Sequence, residues 1–575
     1  MLIDPKTLPL KDDIPRVEVP PNYKKKVLFV GEATPLRTGF STYYINVLHY
    51  LYKTGKYDLA EFGCYLSQMD PRWTKEKIPW KYYGNLPDII GIDKKTGQFI
   101  EDAQQRELYY KNYKENQFGK WKFSQVLLDF KPDCVIDHRD FWMLSYQYSN
   151  PFRKNIVLCQ MPTVDGDPQR EEWIEGYKKA DYLMSYSHYG KNILEAQSGG
   201  RLKIIETAQP GIEIDIIKPV ADKGKHKNKW LLNDDVFVIG TVMRNQPRKL
   251  FPHLMRAFKK FIIKYPDLGK KSCLLLHTSY PDVGWDLPRF VKRNGLLQKV
   301  LFTYVCNSCF YSFVNPWIGE VAQCRKCGEK KARLPNTGIG ITRERLGEIY
   351  NLMDLYVQYS NSEGWGMGIG EAKSAGVPVL ATNNTAMSEQ VGEGKGGWPI
   401  ELAATYVEGS AFQDTYCTRG IPSDDDFVEK LAKVRQMSPQ KYQKWCREAR
   451  KYAEGFSWEK TAKKWEAVLD AIPIKDRSKT WDAPPKFVMS KYRGMTEELV
   501  EMKPTIFLEK LYSDVLGRPP DEKGIKDWLS SIKRGMSREQ ILFHFLKVGN
   551  EQNMIEAQRS GQSMPSVDEL RYLEI

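Results

Sequence analysis

The chain has 575 residues, 41% of them hydrophobic and 12% aromatic, which is typical of a globular protein and excludes a disordered one. Its length exceeds what one hydrophobic core serves, so we predict two large domains and a smaller one. The net charge of +14 favours anionic partners such as nucleic acid, an anionic membrane surface or a phosphorylated ligand, although a generally lysine-rich proteome explains it equally well.

The sequence predicts a cytoplasmic protein. No apolar run approaches the ~20 residues that a membrane-spanning helix needs. Residues 1–6 hold an acidic residue and a proline where a signal peptide has an apolar core. Ten cysteines are too few for a disulfide scaffold at this length and fit a reduced compartment with one metal site. Residues 1–22 are predicted to form an extended, proline-rich arm.

The first domain opens with a strand, a glycine-containing loop and a helix. Residues 26–31 are predicted to form a buried strand, the next loop contains Thr38 and Gly39, and an amphipathic helix covers residues 43–52. Alternation of strands and helices predicts a mostly parallel sheet with covered faces. Further strands are predicted at 133–137, 156–159 and 182–185.

A polar segment connects the first domain to the second. Residues 223–229 hold four lysines, and we expect a solvated loop rather than a phosphate or nucleic-acid contact. The next strand, residues 236–244, ends in Arg244, and Lys249 follows with Arg248 beside it. Cations at the carboxyl end of a strand point into the crevice where open α/β sheets bind ligands. Two solvated basic residues before a helix are the alternative.

Four cysteines have the spacing of a structural zinc site. Cys306 and Cys309 form one Cys-x2-Cys pair, and Cys324 and Cys327 form a second pair fourteen residues later. Four thiolates in tetrahedral reach predict a zinc ribbon whose ion has no catalytic role. Aromatic and basic residues interleave within it, which favours nucleic-acid or glycan binding or, somewhat more, a small core of the ribbon: Phe310, Tyr311, Phe313, Trp317, Arg325, Lys326, Lys330, Lys331 and Arg333.

Two glutamates eight positions apart, Glu363 and Glu371, flank four glycines ahead of a β-branched strand. In a strand–loop–helix unit, Glu363 lies on the loop and Glu371 in the first turns of the helix, so both face one polyhydroxylated ligand. Carboxylates accept hydrogen bonds from sugar and ribose hydroxyls. The glycines let backbone N–H groups approach, and the helix N-terminus favours an anion. A glycine-rich turn with two surface glutamates is the alternative.

The remaining chain is predicted to be helical. Ser457 caps a helix over residues 458–470, with Trp465 and Val468 on its apolar side. Beyond a linker, short helices near residues 506–512, 528–529 and 538–548 form a small domain. We expect its core to contain Tyr512, Leu516, Trp528 and Phe545.

The run that starts at Glu363 resembles the donor-binding signature of retaining GT-B glycosyltransferases of the group 1 type, in which Glu-x7-Glu precedes a small-residue helix and a Gly-x-Pro-Val strand. Trp365 stands where the family usually has Phe. The resemblance covers roughly residues 24–472. It implies an α/β fold with two Rossmann-like domains facing a cleft, here with a four-Cys zinc ribbon insertion and a small all-helical C-terminal domain. That last domain resembles one of unsettled function found on bacterial and phage glycosyltransferases and surface proteins.

The resemblance divides the chain into successive segments. They are an arm (1–22), an acceptor domain (23–218), a donor domain (230–455) with the ribbon inserted (303–335), a helix returning to the first domain (456–472), a linker (473–503) and the helical domain (504–575).

The resemblance also implies a site for a nucleotide-sugar donor. Glu363 contacts the donor sugar and Glu371 the ribose, while Arg244 and Lys249 stabilise the departing pyrophosphate, which gains charge as the glycosidic bond breaks. Backbone N–H groups of the two loops lie beside the phosphates and the sugar. The donor residues are Thr38, Gly39, Arg244, Lys249, Glu363, Gly366, Met367, Gly368 and Glu371.

Transfer with retention of configuration is implied, by front-face attack in which the leaving phosphate takes the acceptor proton. We expect neither a carboxylate nucleophile nor a catalytic divalent metal. On the acceptor side, His138, Asp140 and Asp165 follow two strands at which family members often carry a functional His or Asp. A structural hydrogen-bonding role fits each of them equally well.

Three hypotheses for function follow. In the first, the acceptor is a glycan or another glycoconjugate. In the second, it is DNA with a hydroxymethylated base, as phage enzymes of this fold modify, and the protein then works in the host cytoplasm. In the third, the chain is a non-catalytic nucleic-acid-binding protein, against which the intact motif argues. The family's prevalence favours the first hypothesis, and the basic charge and the ribbon favour the second. The sugar, the nucleotide and the oligomeric state stay open.

Overall fold

The protein is seen in a computed structural model. The structure describes residues 17–68, 78–92, 98–336, 340–409, 415–475 and 502–534, with a few isolated positions around these ranges. The chain divides into two compact units, residues 1–148 with 153–479, and residues 149–152 with 480–575.

The first half of the larger unit contains a seven-stranded parallel sheet. Strands β1 to β9 are Lys25–Glu32, Tyr57–Ser67, Lys81–Leu86, Ile89–Ile92, Phe99–Glu101, Cys134–Asp137, Val157–Gln160, Tyr182–Ser185 and Ile204–Thr207. The sheet order is β3-β2-β1-β6-β7-β8-β9, and β4 pairs with β5 as a separate antiparallel hairpin. The predicted strands are therefore present, and the apolar run of β1 is buried because helices cover both faces of a parallel sheet.

The helices of this half lie between the strands. Helices α1 to α7 are Gly39–Thr54, Ala103–Lys111, Tyr113–Asn116, Lys120–Phe130, Phe141–Leu144, Glu171–Tyr177 and His188–Gln197. The start of α1 is fixed by Thr38, whose hydroxyl accepts a hydrogen bond of 3.1 Å from the Ser41 N–H, and its end by Gly55, which has a φ of 68°. Thr38 and Gly39 thus stand at the helix N-terminus, directly after the carboxyl end of β1.

The second half repeats the parallel design and adds an antiparallel edge. Strands β10 to β19 are Phe237–Val242, Ser272–His277, Val300–Cys306, Ser312–Pro316, Ala332–Arg333, Leu355–Gln358, Val379–Thr382, Gly397–Ile400, Leu402–Val407 and Thr418–Pro422. The sheet order is β13-β12-β11-β10-β15-β16-β17, with β13 and β14 antiparallel to β12 and with β18 and β19 paired separately. The cysteine-rich segment is therefore continuous with the edge of this sheet.

Nine helices accompany this half within the described residues. Helices α8 to α16 are Lys223–Lys229, Phe251–Lys264, Pro266–Lys270, Leu287–Arg293, Arg343–Leu352, Met367–Ser374, Asp424–Arg435, Pro439–Ala453 and Trp458–Ala471. Glu371 lies in α13 and Glu363 in the loop that follows β15, as predicted.

The prediction of a solvated loop at residues 223–229 is wrong. The segment is helix α8, which Asp222 caps by accepting a hydrogen bond of 2.9 Å from the Lys225 N–H. Lys227 is buried, and its ammonium group donates to Asp354 and to the Val236 carbonyl, each at 2.7 Å. The charge run is partly structural because a buried lysine is tolerated once a carboxylate pairs with it.

Helix α16 returns to the first half, as predicted. Trp465 is fully buried in the core that β1 and α1 build, and its indole N–H donates to the Tyr43 hydroxyl at 2.8 Å. Val468 is buried in the same core. Ser457 caps the helix by accepting a hydrogen bond of 3.3 Å from the Lys460 N–H. The helix therefore ties the end of the second half to the first sheet.

The smaller unit is helical where it is described. Helices α17 and α18 are Pro504–Asp514 and Glu522–Lys533. Tyr512 and Phe545 are buried in its core, and Leu516 and Trp528 pack against it, as predicted. Most of the predicted third helix and the predicted linker lie outside the described residues. Across the described part of the chain, the helices are all too short or too polar to span a membrane.

We predict that Trp465→Ala lowers the free energy of unfolding by about 3–5 kcal/mol, because it leaves a cavity and removes one hydrogen-bond partner of the Tyr43 hydroxyl. Urea denaturation measures the change. Lys463→Ala, on the exposed face of the same helix, is the control and is expected to stay within about 0.5 kcal/mol of the wild type. A loss below about 1 kcal/mol for Trp465→Ala would contradict the role given to α16.

Candidate active site

Glu363 is a buried carboxylate surrounded by donors. Its oxygens accept hydrogen bonds from Arg248 at 2.8 Å, from Gln358 at 2.6 Å, from Ser360 at 2.8 Å and from the Lys249 ammonium group. Burial alone would raise the pKa of Glu363, but the charges of Lys249 and Arg248 outweigh it and hold that pKa well below its usual range. Glu363 therefore stays ionised, with its oxygens aimed at fixed cations.

Lys249 shares this buried position. Burial and the neighbouring Arg248 lower the pKa of Lys249 to about 8, against the opposing effect of Glu363. The lysine ends a short 3-10 turn, Pro247–Lys249, between β10 and α9. The site therefore contains two cations on one carboxylate, of which the lysine is the one able to lose its proton near neutral pH.

Glu371 has a separate cationic partner. It accepts a hydrogen bond of 2.7 Å from the Tyr350 hydroxyl and another from Arg343, the first residue of α12. Arg343 also pairs with Glu213 at 2.6 Å. Burial, and then the charges of Glu363 and Glu371, raise the pKa of the buried Tyr356. Both motif glutamates are therefore within electrostatic reach of this tyrosine.

Arg244 lies apart from the Glu363 cluster. Its guanidinium group pairs with Asp282 at 2.9 Å and is nearly half exposed. It also lies near Glu32 at the end of β1, whose charge adds to the increase in the pKa of Arg244 that Asp282 causes. The structure therefore places Arg248 on Glu363, while Arg244 pairs with Asp282 and is within electrostatic reach of Glu32, whose carboxylate accepts a hydrogen bond from the Thr38 hydroxyl.

Backbone geometry explains two glycines at the start of α13. Gly366 has a φ of 91°, a conformation that side chains other than glycine rarely adopt. A Cβ on Gly368 would stand 2.3 Å from the Tyr356 hydroxyl, so the helix start lies directly against the sheet. Met367 packs against the core of the first half, and its sulfur lies 3.6 Å from where a Gly39 Cβ would be. The two predicted donor loops therefore meet.

The acceptor-side residues differ in their surroundings. His138 is fully buried and stacks on Tyr44, with ring centroids 3.5 Å apart. Neither ring nitrogen has a hydrogen-bond partner among the described residues. Burial and then Arg139 hold the pKa of His138 well below its usual value, so the ring is neutral.

Asp140 and Asp165 lie closer to the Glu363 cluster. Burial and the charge of Asp165 raise the pKa of Asp140 to about 7, while Arg248 acts in the opposite direction. Asp165 pairs with Arg419 at 3.0 Å, and Arg419 also donates to the hydroxyl of Ser362 at 2.8 Å. Arg419 therefore connects the first half to the residue beside Glu363.

Two arginines of this site, Arg343 and Arg419, escaped the sequence analysis. Arg343 has a weak local signal, since it begins a helix capped by Thr342. Arg419 lies on β19, more than fifty residues after Glu363, and carries no local signal. Arg343 links the motif carboxylate Glu371 to Glu213 in the first half. Arg419 links Ser362, which precedes Glu363, to Asp165 in the first half.

The four cysteines form a separate cluster. All four sulfur atoms lie within 4.8 Å of one another, with Cys306 to Cys327 and Cys309 to Cys324 each at 3.6 Å. Sulfurs around a tetrahedral zinc ion, with bonds of about 2.3 Å, stand about 3.8 Å apart, so these residues fit the ion.

The aromatic residues of this segment serve mainly as core. Phe313 is buried, and Tyr311 and Trp317 pack against the core of the second half. Phe310 is the exception, being 72% exposed.

Comparison with known proteins finds two families along the chain and one curated relative. Residues 338–404, which contain Arg343, Glu363 and Glu371, match the family Glycosyl transferases group 1. Residues 496–554 match a domain of unknown function (DUF4214). A D-inositol 3-phosphate glycosyltransferase 2 from Catenulispora acidiphila is 24% identical over 197 residues, which cover 34% of this chain and 38% of that relative.

Solved structures extend the similarity to most of the chain. Sucrose-phosphate synthase from Thermosynechococcus elongatus aligns with 78% of this chain and 98% of its own, with a TM-score of 0.54 and 14% identity. Anabaena HepE in complex with UDP and glucose aligns with 78% of this chain and all of its own, with a TM-score of 0.53 and 14% identity. The chain has the GT-B fold of glycosyltransferases. At these identities the similarity establishes the fold.

We predict that Glu363→Ala lowers the free energy of unfolding by about 3–5 kcal/mol at pH 7, because it leaves buried cations unpaired. Since the folded pKa of Glu363 is depressed, its stabilising effect is present above the unfolded pKa and is lost as the pH falls below it. The difference from the wild type is therefore expected to shrink below about pH 4.

Urea denaturation at pH 7 and again below about pH 4 measures how the stability difference between Glu363→Ala and the wild type changes. Glu393→Ala, at an exposed position, is the matched control and is expected to match the wild type at both. An equal loss for Glu363→Ala at both pH values would show that the ion pair does not carry the effect.

Proposed function

We propose that this chain is a retaining glycosyltransferase that transfers a hexosyl or pentosyl group from a nucleotide-sugar donor to an acceptor hydroxyl. The observation that carries the proposal is the buried Glu363 with Lys249 and Arg248 on it, beside the start of α13. A carboxylate held by four donors binds hydroxyls and orients cations, and is poorly placed to attack a sugar carbon. This supports front-face attack over a covalent intermediate.

In the proposed reaction, the bond between the anomeric carbon and the donor phosphate oxygen breaks, and the acceptor oxygen bonds to that carbon on the same face. The leaving phosphate oxygen takes the acceptor proton. Lys249 and Arg248, which pair with Glu363, would stabilise this phosphate as it gains charge, and Arg244, which pairs with Asp282, would be a third cation. Fixed cations in a buried site favour the transition state over the ground state.

We propose that the donor's hydroxyls bind to the two glutamates, with the sugar at Glu363 and the ribose at Glu371. The N–H groups that begin α1, after Thr38, and α13, after Gly366, would face the phosphates in the cleft between the halves. The proposed acceptor is a glycan or another glycoconjugate, and Asp140 and Asp165 are proposed to face it. His138 is proposed to support the loop between β6 and α5, which also carries Asp140, through its stacking on Tyr44.

Modification of hydroxymethylated DNA is the second candidate, which the net charge of +14 favours. A non-catalytic role is disfavoured by the intact cluster at Glu363. The cysteine cluster is proposed to hold a structural zinc ion, which would fix the edge of the second sheet and take no part in the reaction.

The proposal predicts slow hydrolysis of one nucleotide sugar even without an acceptor. Lys249→Ala and Glu371→Ala are each expected to lower kcat/KM by about 100-fold, and Glu393→Ala is the control that retains the wild-type value. Chromatography of the released nucleotide measures the rate across a panel of nucleotide sugars. With glycans, plain DNA or hydroxymethylated DNA added, product masses identify the acceptor. If no nucleotide sugar is turned over, the proposal that this chain is an enzyme is refuted.

The ionisation of Lys249 predicts the pH dependence of this hydrolysis. Its pKa of about 8 means that the rate is constant below that pH and falls above it, as the ammonium group loses its proton. Lys249→Arg keeps the positive charge and is expected to move the fall to higher pH. A wild-type rate that stays constant well above pH 9 would contradict a required Lys249 ammonium group.

The zinc proposal predicts one metal ion per chain. Mass spectrometry under native conditions and elemental analysis are expected to detect zinc in the wild type and to lose it in Cys306→Ser/Cys324→Ser. Cys446→Ser, outside the cluster, is the control. Because a structural ion contributes folding energy, the melting temperature of the double variant is expected to fall. The zinc proposal would be contradicted if the wild type contains no metal and its melting temperature does not change when a chelator is added.

A further inference from the structure

An exposed aromatic surface lies at the same sheet edge as the predicted donor loop. Strands β1, β2 and β3 are parallel neighbours, so their carboxyl ends share one edge. The loop with Thr38 leaves β1 there, and the segment with hairpin β4–β5 and helix α2 leaves β3 there. Two strand spacings separate β3 from β1, which is about 10 Å.

The surface is built on three tyrosines, which we call the tyrosine platform: Tyr109, Tyr110 and Tyr113. Tyr110 and Tyr113 stack, with ring centroids 5.8 Å apart and an angle of 14° between the rings. They are 54% and 49% exposed. The buried Tyr109 contacts both nearly at right angles, at 5.1 and 5.6 Å, and supports them from below. The rings are therefore held in place while about half of each side chain stays exposed, and the Arg106 guanidinium lies 6.0 Å from the centre of the Tyr110 ring.

The hairpin before α2 adds further apolar surface. Its isoleucines Ile90, Ile92 and Ile100 are 65%, 58% and 44% exposed. The base of the hairpin is tied to α2, because Gln105 exchanges hydrogen bonds of 3.0 Å with the side chain and the backbone N–H of Asp88. Several exposed apolar and aromatic side chains on one segment favour a binding surface.

Tyr65 lies on β2, between the strand that leads to the donor loop and the strand that leads to the platform. It stands where the pairing of β2 with β3 is irregular, and it has a φ of 68°. Burial raises its pKa, and the charges of Cys64, Glu32 and Tyr109 add to that increase while Arg139 opposes it. Glu32, at the end of β1, and Tyr109 of the platform are therefore both within electrostatic reach of Tyr65.

The charge of the segment decides which ligand fits. Residues 86–122 hold six acidic and seven basic residues, a near balance in a protein of net charge +14. Several of the basic residues are paired, as in Arg106 with Glu101 at 3.7 Å and Lys120 with Glu115 at 2.9 Å. A duplex DNA or an anionic membrane binds through an excess of cations, which this segment lacks.

We propose that the tyrosine platform is an acceptor subsite that stacks the sugar rings of a neutral oligosaccharide. The inference rests on the proposed glycosyltransferase function and names its acceptor class. A pyranose ring offers an apolar C–H face to Tyr110 or Tyr113 and a rim of hydroxyls to the phenol oxygens, which donate and accept hydrogen bonds. The end of the oligosaccharide that is extended then lies along the sheet edge that the platform shares with the predicted donor loop.

The test measures binding of neutral hexasaccharides and trisaccharides of glucose, N-acetylglucosamine and xylose to the full chain. Wild type is expected to bind at least one hexasaccharide more tightly than its trisaccharide. Tyr110→Ala/Tyr113→Ala is expected to weaken that binding by about tenfold or more, whereas Tyr110→Phe/Tyr113→Phe keeps the stacking and most of the affinity. Tyr52→Ala, which removes a similarly exposed tyrosine at the far end of α1, is the control.

Nucleoside diphosphate binding is titrated on the same samples. If no nucleoside diphosphate binds, the proposed function fails; if one binds but no hexasaccharide does, the platform inference alone is overturned. Equal hexasaccharide affinity of the wild type and the double alanine variant also overturns it. So does an alanine variant that instead loses binding to duplex DNA or to vesicles of phosphatidylcholine and phosphatidylglycerol, which are measured alongside.

Discussion

The buried contact of Glu363 with Lys249 and Arg248 is the interaction on which the rest of the site depends. Charges of both signs are removed from water there, and each is tolerated only because the others compensate it. The contact joins the loop after β15 to the turn after β10, two strands that are neighbours in the sheet. It therefore fixes both loops at the edge where a ligand would bind, before any ligand is present.

Ionic links of the same kind hold the two halves together. Arg419 connects Asp165 in the first half to Ser362 in the second, and Arg343 connects Glu213 to Glu371. A buried carboxylate without a partner is costly, and Arg343 and the Tyr350 hydroxyl both satisfy Glu371. Under the proposed function, a ribose hydroxyl would compete with this arginine, so the affinity for a nucleotide would depend on how firmly Glu213 holds Arg343.

Local patterns made much of this predictable. The Glu363 motif, the cysteine pairs and the apolar run of β1 are each contained in a short stretch of sequence, so their structural positions followed from spacing alone. That Arg248 joins Lys249 on Glu363 did not follow, because both lie in the tight 3-10 turn Pro247–Lys249, which Leu250 ends with a φ of 48°. Arg419 and the pairing of Lys227 with Asp354 depend on contacts between distant residues. A lysine run carries no sign of which ammonium group will find a buried acid.

The proposed site depends on fixed cations that bind the second phosphate of a nucleotide. Isothermal titration of the wild type with nucleoside diphosphates and their matching monophosphates tests it directly, at moderate and at high salt. The account predicts that one diphosphate binds at least about tenfold more tightly than its monophosphate, and that Lys249→Met removes most of this difference. Equal affinity for the diphosphate and the monophosphate in the wild type would contradict it.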